Sequence, residues 1–193
     1  MVWNNGKLIK VLTAGGIVVM PTDTMYGIVG KAENPAEVER IYKIRKRAPE
    51  KPCIILIGDI NELKKFSINL SEKQKTVIKK YWSFDSTQDL QPEPTSIVFD
   101  CPDEKFQYLH RGTKTLAFRI PSPQSLRDLL LKVGPLIAPS ANPEGFSPSK
   151  NTTEAAAYFG DAVDLYLDGG PLTNKASKVI KLAQNGSVTV LRK

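Results

Sequence analysis

The chain has 193 residues, of which 41% are hydrophobic and 24% are charged, and its formal net charge is +7. This size and composition predict one globular α/β domain over 1–193. We expect no membrane attachment, because no apolar run approaches the roughly 20 residues of a membrane-spanning helix. The first ten residues lack the apolar core of a signal peptide, which predicts a cytoplasmic protein. The charge fits either a lysine-rich surface or a phosphate-rich partner, a nucleotide or RNA.

Short apolar runs alternate with amphipathic segments along the chain, which is typical of an α/β sheet that is parallel in part. In chain order, we predict helices over 4–14, 34–47, 59–66, 71–82, 124–133 and 153–159. We predict strands over 17–20, 53–57, 96–99, 115–120, 136–139, 163–167, 179–182 and 188–191. The polar segment 83–94 has no hydrophobic period and is predicted to be a flexible insertion.

Three helix ends carry sequence signals. Gly15 suits a left-handed C-cap after the first helix. Asn34 is the predicted N-cap of the second helix, with Pro35 at its first position and Glu37 closing a capping box. The segment Ser71–Gln74 predicts a capping box at the next helix.

Several common chemistries have no residues to support them. The single histidine, His110, excludes a histidine-rich metal site and is expected to be solvated in a basic loop. Neither the P-loop pattern nor G-x-G-x-x-G occurs. Cys53 and Cys101 show no metal spacing, and Cys53 is expected to be a reduced core residue.

Polar side chains follow three of the predicted strands. They are the loop 21–26, Arg119 and the segment 140–142. Ligands of open α/β sheets bind beyond the strand ends, so we expect these residues to share one pocket. Each one alone is as typical of a turn as of a ligand site.

Five motifs in order carry a family resemblance: P-T-D-T-M-Y-G at Pro21–Gly27, R-K-R-A-P-E-K-P at Arg45–Pro52, L-A-F-R-I-P at Leu116–Pro121, P-S-A-N at Pro139–Asn142 and A-S-K-V at Ala176–Val179. With them, the chain resembles the threonylcarbamoyl-AMP synthase family in its short form, without the additional C-terminal domain of longer members. The resemblance implies a twisted, mixed and partly parallel sheet, flanked by helices, around a large basic cavity.

The resemblance also implies an activity. Members of that family condense L-threonine, bicarbonate and ATP into threonylcarbamoyl-adenylate and release pyrophosphate. The expected cofactor is Mg²⁺, held by the ATP phosphates and water, so no protein metal ligands are expected. A separate tRNA threonylcarbamoyl transferase is the expected downstream partner, and tRNA or double-stranded RNA is a further candidate partner.

The resemblance assigns roles residue by residue. Threonine-binding residues would be Thr24, Arg119, Ala138 and Ser177. ATP-binding residues would be Arg47, Lys51, Thr115, Ser140, Asn142 and Arg192. Arg45 and Arg47 would be catalytic, and Thr22, Tyr26 and Ser96 are additional site candidates. Asp23 is expected to cap the turn, while Tyr26 suits either the pocket wall or the core.

Some residues depart from the family pattern. Arg45 stands where lysine is usual, Glu93 stands where glycine is usual, and Leu56 lies about where many members have a histidine. Two alternatives therefore stay open. One is a non-catalytic module that binds double-stranded RNA or tRNA, and the other is a related carbamoyl-adenylate enzyme with a different acceptor.

Overall fold

The computed structural model describes residues 2–82 and 93–193. Within these ranges nine strands form one sheet: β1 (Val18–Pro21), β2 (Tyr26–Lys31), β3 (Ile54–Leu56), β4 (Thr95–Asp100), β5 (Thr115–Arg119), β6 (Leu136–Ile137), β7 (Leu165–Tyr166), β8 (Lys178–Leu182) and β9 (Val188–Arg192). The α-helices are α1 (Gly6–Thr13), α2 (Pro35–Arg45), α3 (Glu72–Ile78), α4 (Gln107–His110), α5 (Gln124–Val133) and α6 (Thr152–Phe159). Tighter 3-10 turns occupy Ile60–Phe66, Glu104–Phe106 and Gly160–Ala162. In this part of the chain, no helix has the length and apolarity to cross a membrane.

The strands lie in the order β7-β1-β2-β6-β3-β5-β4-β8-β9. The pairs β1–β7, β3–β5 and β4–β8 are parallel. The other neighbouring strands pair antiparallel. The predicted mixed, partly parallel α/β sheet is therefore confirmed.

Most predicted elements are present, with shifts of a few residues at their ends. The predicted helix over 59–66 is a 3-10 helix, and the one over 71–82 ends its α-helical part at Ile78. The short helical stretch over 104–110 was not predicted. Residues 83–92 of the predicted insertion lie outside the described residues.

Strand β2 is the main element that the sequence pattern missed. Its glycines, Gly27 and Gly30, weaken the strand signal, because glycine is depleted in strands. Gly30 nonetheless allows close packing: a Cβ there would lie 2.8 Å from Cδ1 of Ile17 and 3.1 Å from Cδ1 of Ile41, so these side chains would have to shift. The predicted loop after β1 is therefore only the turn 22–25 of a β1–β2 hairpin.

In the central strands, alternate residues are buried against the two faces of the sheet. Ile17 and Val19 join the core cluster that also contains residues of α2, α3 and α6. Val18 and Met20 point to the opposite face, where α1 and α5 pack. This alternation follows from the two-residue period of a strand, and it explains why β1 has no polar residue.

A cavity lies on the same face of the sheet as α1 and α5, beyond the part that these helices cover. These helices pack over β1, β2 and β6, and Leu12 of α1 and Leu130 of α5 share an apolar cluster with Leu136 of β6. Farther along the same face, Ala117 of β5 and its neighbour Val98 of β4 border a cavity instead. On the other face of β5, Phe118 packs with its ring centroid 5.0 Å from that of Phe66.

The helix caps follow the sequence signals with one exception. The side chain of Asn34 accepts a hydrogen bond from the Ala36 amide, and Gly15 has a φ of 87° as expected. Ser71 and Gln74 form the predicted capping box. The capping box predicted for Glu37 is wrong, because the Asn34 amide donates to a backbone carbonyl.

Glu37 instead closes the junction between β2 and α2. Its Oε2 accepts a hydrogen bond from the Lys31 amide at 2.7 Å, and its Oε1 accepts one from Nδ2 of Asn34 at 2.8 Å. The side chain is buried. It therefore accepts hydrogen bonds from two donors at this junction.

We expect Glu37→Ala to lower the free energy of unfolding by about 1–3 kcal/mol, the typical cost of leaving a buried polar group without a partner. Urea denaturation measures this loss. Glu72→Ala is the matched control, because Glu72 is exposed and pairs with Lys75 at the surface. Its loss is expected to be much smaller than that of Glu37→Ala, because an exposed ion pair contributes little to stability. Equal losses for the two variants would contradict the structural role of Glu37.

Candidate functional site

A cavity of about 560 Å³ lies over β5, β4 and β8, on the part of the sheet face next to α1 and α5. Residues of several separate segments line it. Those that the sequence singled out are Thr22, Thr24, Arg47, Thr115, Arg119, Ala138, Ser140, Ser177 and Arg192. The other predicted site residues, Tyr26, Arg45, Lys51, Ser96 and Asn142, do not line it. The fold thus brings the turn after β1, Arg119 at the end of β5 and Ser140 after β6 to one void.

The charge of the cavity is positive. Its lining contains Arg47, Arg119 and Arg192, and no aspartate or glutamate among the described residues. Burial lowers the pKa of Arg192, and the charge of Arg119 lowers it further. Two guanidinium groups that repel each other across a cavity favour an anionic ligand between them.

Arg119 is held at the end of β5 by the β1–β2 turn. Its Nη2 donates to Oδ1 of Asp23 at 2.9 Å and to Oγ1 of Thr24 at 3.3 Å. The expectation that Asp23 caps the turn is wrong. Oγ1 of Thr22 takes that role, accepting hydrogen bonds from the amides of Thr24 and Met25.

Arg47 lies just beyond the C-terminal end of α2, after Lys46, which has a left-handed φ of 50°. Its Nε donates to the carbonyl of Lys51 and its Nη2 to the carbonyl of Pro52, both at 2.9 Å. Because two backbone acceptors hold the guanidinium, Arg47 keeps a fixed position at the edge of the cavity. We call residues 45–52 the basic segment.

Arg45 lies beneath the loop 138–148, which we call the serine loop. Its side chain is 3% exposed, its Nε donates to the Asn142 carbonyl at 2.9 Å, and its Nη2 lies 3.3 Å from Oγ of Ser140. Burial, and then the charge of Arg47, lower the pKa of Arg45 to about 10. It is therefore still charged at pH 7, and it supports the serine loop from outside the cavity.

Glu144 ties the basic segment to the serine loop. Its carboxylate pairs with Nζ of Lys51 and accepts a hydrogen bond from the Ala48 amide at 2.5 Å. Its own amide donates to the Arg45 carbonyl at 2.8 Å. The hydrogen bonds from Lys51 and Ala48 hold the pKa of Glu144 below its usual value, so this link is present at neutral pH. Lys51 acts here at the surface, outside the cavity.

Two of the additional site candidates, Ser96 and Tyr26, contact neighbouring residues and do not line the cavity. Oγ of Ser96 lies 2.9 Å from Oγ of Ser177, and the Ser177 carbonyl accepts hydrogen bonds from Nε and Nη2 of Arg192. The Tyr26 hydroxyl donates to the Gly170 carbonyl at 2.8 Å and accepts from the Gly169 amide at 2.9 Å. Of its two alternatives, Tyr26 therefore takes the core.

Other residues of the cavity were not among the predicted site residues or motifs. They include Cys53, Val98, Thr113 and Pro148. The apolar ones look the same in a sequence whether they fill a core or line a pocket. His110 also differs from expectation: it is buried, and its Nδ1 accepts a hydrogen bond from the Gly112 amide at 3.1 Å.

One protein family matches nearly the whole chain. The profile of the Sua5/YciO/YrdC family, described as telomere recombination, matches residues 10–193. The chain belongs to this family. The threonylcarbamoyl-AMP synthase of Bacillus subtilis is 32% identical over 158 residues, covering 80% of this chain and 43% of the relative. The threonylcarbamoyl-AMP synthase of Pseudomonas fluorescens is 25% identical over 191 residues, covering 96% of both chains.

Solved structures agree with this assignment to the Sua5/YciO/YrdC family. Sua5 of Pyrococcus abyssi, solved in complex with L-threonine, superposes with a TM-score of 0.82 at 25% identity, covering 100% of this chain and 54% of that one. YciO of E. coli superposes with a TM-score of 0.78 at 24% identity, which shows the shared fold. The chain thus spans about half the length of the Bacillus and Pyrococcus relatives.

Proposed function

We propose that the protein is an L-threonylcarbamoyladenylate synthase, which condenses L-threonine, bicarbonate and ATP and releases pyrophosphate. The observation that carries this proposal is the shared cavity: Arg119, Arg47 and Ser140 border the same void of about 560 Å³. A cavity of this size suits an amino acid placed next to a nucleotide. The names of the relatives support the same reaction. The product would serve tRNA modification through a separate threonylcarbamoyl transferase.

Arg119 is the proposed carboxylate ligand of threonine. A guanidinium matches a carboxylate in geometry and charge, and Arg119 is fixed by Asp23 and Thr24 at the end of β5. Thr24, Ser177 and the backbone of Ala138 border the same part of the proposed site. These residues would orient the amine of threonine toward the nucleotide.

Arg47, Arg192 and Ser140 are the proposed ligands of the ATP phosphates, with Thr115 beside them. The serine loop keeps its shape through Asn142, whose Nδ2 donates to the carbonyls of Pro143 and Phe146. The proposed roles of Arg45 and Lys51 are indirect, through the contacts of the serine loop and the basic segment.

The proposed chemistry needs no nucleophile from the protein. The neutral amine of threonine combines with bicarbonate to form a carbamate, and water leaves. A carbamate oxygen then attacks the α-phosphorus of ATP, and the bond to the departing pyrophosphate breaks. The contribution of the protein is to hold both anions in position and to balance the charge that develops on the phosphates.

The residues of the cavity fit Mg²⁺ that arrives with ATP. Among residues 2–82 and 93–193, its lining offers hydroxyl groups and guanidinium groups but no carboxylate, so the triphosphate and water would supply most ligands of the ion. Such an ion would neutralise charge on the phosphates.

One experiment tests the proposed function directly. The purified protein is incubated with ATP, L-threonine, bicarbonate and Mg²⁺, and threonylcarbamoyl-adenylate is detected by mass spectrometry. We expect a product that requires all three substrates. Pyrophosphate release with other amines but not with threonine would instead favour the related enzyme with a different acceptor.

A second candidate function is binding of tRNA or double-stranded RNA. Exposed lysines cluster on the segment 64–80, at positions 64, 65, 73, 75, 79 and 80. Such a cluster attracts phosphate backbones, and binding through it would weaken steeply with salt. RNA binding of this kind without any adenylate product would favour the non-catalytic module.

Ser140→Ala is expected to raise the Kd for ATP by about two- to tenfold, as for the loss of one hydrogen bond, and to leave threonine binding unchanged. Calorimetric titration of each ligand measures the two affinities. Ser147→Ala is the control, because Ser147 lies on the same loop but is exposed. Unaltered ATP binding in Ser140→Ala would remove Ser140 from the proposed nucleotide site.

A further inference from the structure

Asp23 has a buried carboxylate that is only half satisfied. Its side chain is 1% exposed, and Oδ1 lies 2.9 Å from Nη2 of Arg119, whose side chain is 4% exposed. Among the described residues, Oδ2 of Asp23 has no hydrogen-bond partner. A buried carboxylate oxygen without a partner lowers stability, and a buried ion pair contributes little to it. Folding alone therefore does not explain an aspartate at this position.

The turn itself does not need the Asp23 carboxylate. Oγ1 of Thr22 already accepts hydrogen bonds from the amides of Thr24 and Met25, and it donates to the Met25 carbonyl at 2.8 Å. Asp23 is thus directed at Arg119, 96 residues away in the sequence.

The contact between Asp23 and Arg119 changes the electrostatics of the cavity. Arg119 shares the cavity with Arg47 and Arg192, and its charge contributes to the lowered pKa of Arg192. Without a counter-charge, Arg119 would attract a polyphosphate just as the other two arginines do. The carboxylate of Asp23 reduces that attraction at one end of the cavity only.

We propose that Asp23 is a positioning residue that sets ligand selectivity through Arg119. It fixes the guanidinium and offsets its positive charge, so that this end of the cavity accepts the single carboxylate of an amino acid and rejects a polyphosphate. The inference rests on the proposed function, because it takes Arg119 as the carboxylate ligand. Asp23 itself does not line the cavity.

The test compares the wild-type protein with Asp23→Asn, which keeps the shape of the side chain and an oxygen that can accept from Arg119. L-threonine is titrated calorimetrically into each protein, with and without inorganic pyrophosphate. In the variant we expect the Kd for threonine to rise about tenfold or more. We also expect pyrophosphate to compete with threonine in the variant and not in the wild type.

Asp164→Asn is the matched control, because Asp164 also pairs with an arginine, Arg40, but outside the cavity. It should leave the Kd for threonine unchanged. A merely structural role of Asp23 would lower the melting temperature without creating competition by pyrophosphate.

Three outcomes would overturn the inference. They are wild-type affinity for threonine in Asp23→Asn, displacement of threonine by pyrophosphate from the wild-type protein, and no threonine binding by the wild type. The second and third outcomes are measured with the wild-type protein, so they do not depend on whether the variant folds. If the wild type binds threonine but forms no adenylate, the proposed function fails while the role of Asp23 in binding is still measured.

Discussion

Arg119→Ala is expected to reduce threonine-dependent pyrophosphate release by at least about tenfold, since a hydrogen bond to a charged group contributes about 1.5–3 kcal/mol. The same change leaves the Asp23 carboxylate buried without its cation. Removing one partner of a buried ion pair typically costs about 3–5 kcal/mol of stability. Initial rates over a range of threonine concentrations measure the first effect, and urea denaturation measures the second.

Arg119→Lys separates these two effects. Lysine keeps a positive charge near Asp23 but loses the planar fork that binds a carboxylate with two hydrogen bonds. We therefore expect most of the stability to return while the use of threonine stays impaired. If Arg119→Ala weakened ATP and threonine equally at full stability, the assignment of Arg119 to the amino-acid end of the cavity would be wrong.

Local signals account for the parts of the fold that were predicted best. Helix α5 has the predicted bounds, Gln124–Val133, because Pro123 precedes it and Gly134, with a φ of 91°, ends it. Strand β5 carries alternating small and bulky side chains between turns. The sequence pattern missed strand β2 because glycine is depleted in strands. Gly30 packs against Ile17 and Ile41, and no local pattern reveals that contact.

The sequence pattern did not predict which distant strands pair with each other. Strand β4 pairs in parallel with β8, with Thr95 opposite Lys178. Such a register depends on which faces are buried and on the connection between the strands, and neither is encoded within one segment. The pattern therefore indicated a mixed sheet without indicating its order.

For single residues of the site, too, the sequence did not predict which side chains face the cavity. Arg45 and Arg47 are two positions apart in one basic segment, and their residue type is the same. Arg45 is the last residue of α2 and points beneath the serine loop, whereas Arg47 follows the left-handed Lys46 and lines the cavity. The sequence indicated the charge of the segment, but the turn at Lys46 decides which guanidinium faces the cavity.

The different positions of Arg45 and Arg47 lead to a second prediction, which concerns Arg45. Arg45→Lys keeps the charge, but a lysine cannot bond Ser140 and the Asn142 carbonyl in the fork geometry of the guanidinium. We expect the KM for ATP to rise about tenfold and the free energy of unfolding to fall by about 1–3 kcal/mol, while threonine affinity stays unchanged. Steady-state kinetics and urea denaturation provide the two values.

Arg40→Lys on the same helix is the control, because Arg40 pairs with Asp164 at the surface and should change stability by at most about 1 kcal/mol. If Arg45 acted as a phosphate ligand through its charge, Arg45→Lys would retain the ATP affinity of the wild type. A selective loss of ATP affinity in Arg45→Lys would favour a role through the serine loop, since the positive charge is still present. The two residues of the basic segment would then have different roles, with Arg47 contacting the nucleotide and Arg45 holding the loop that contacts it.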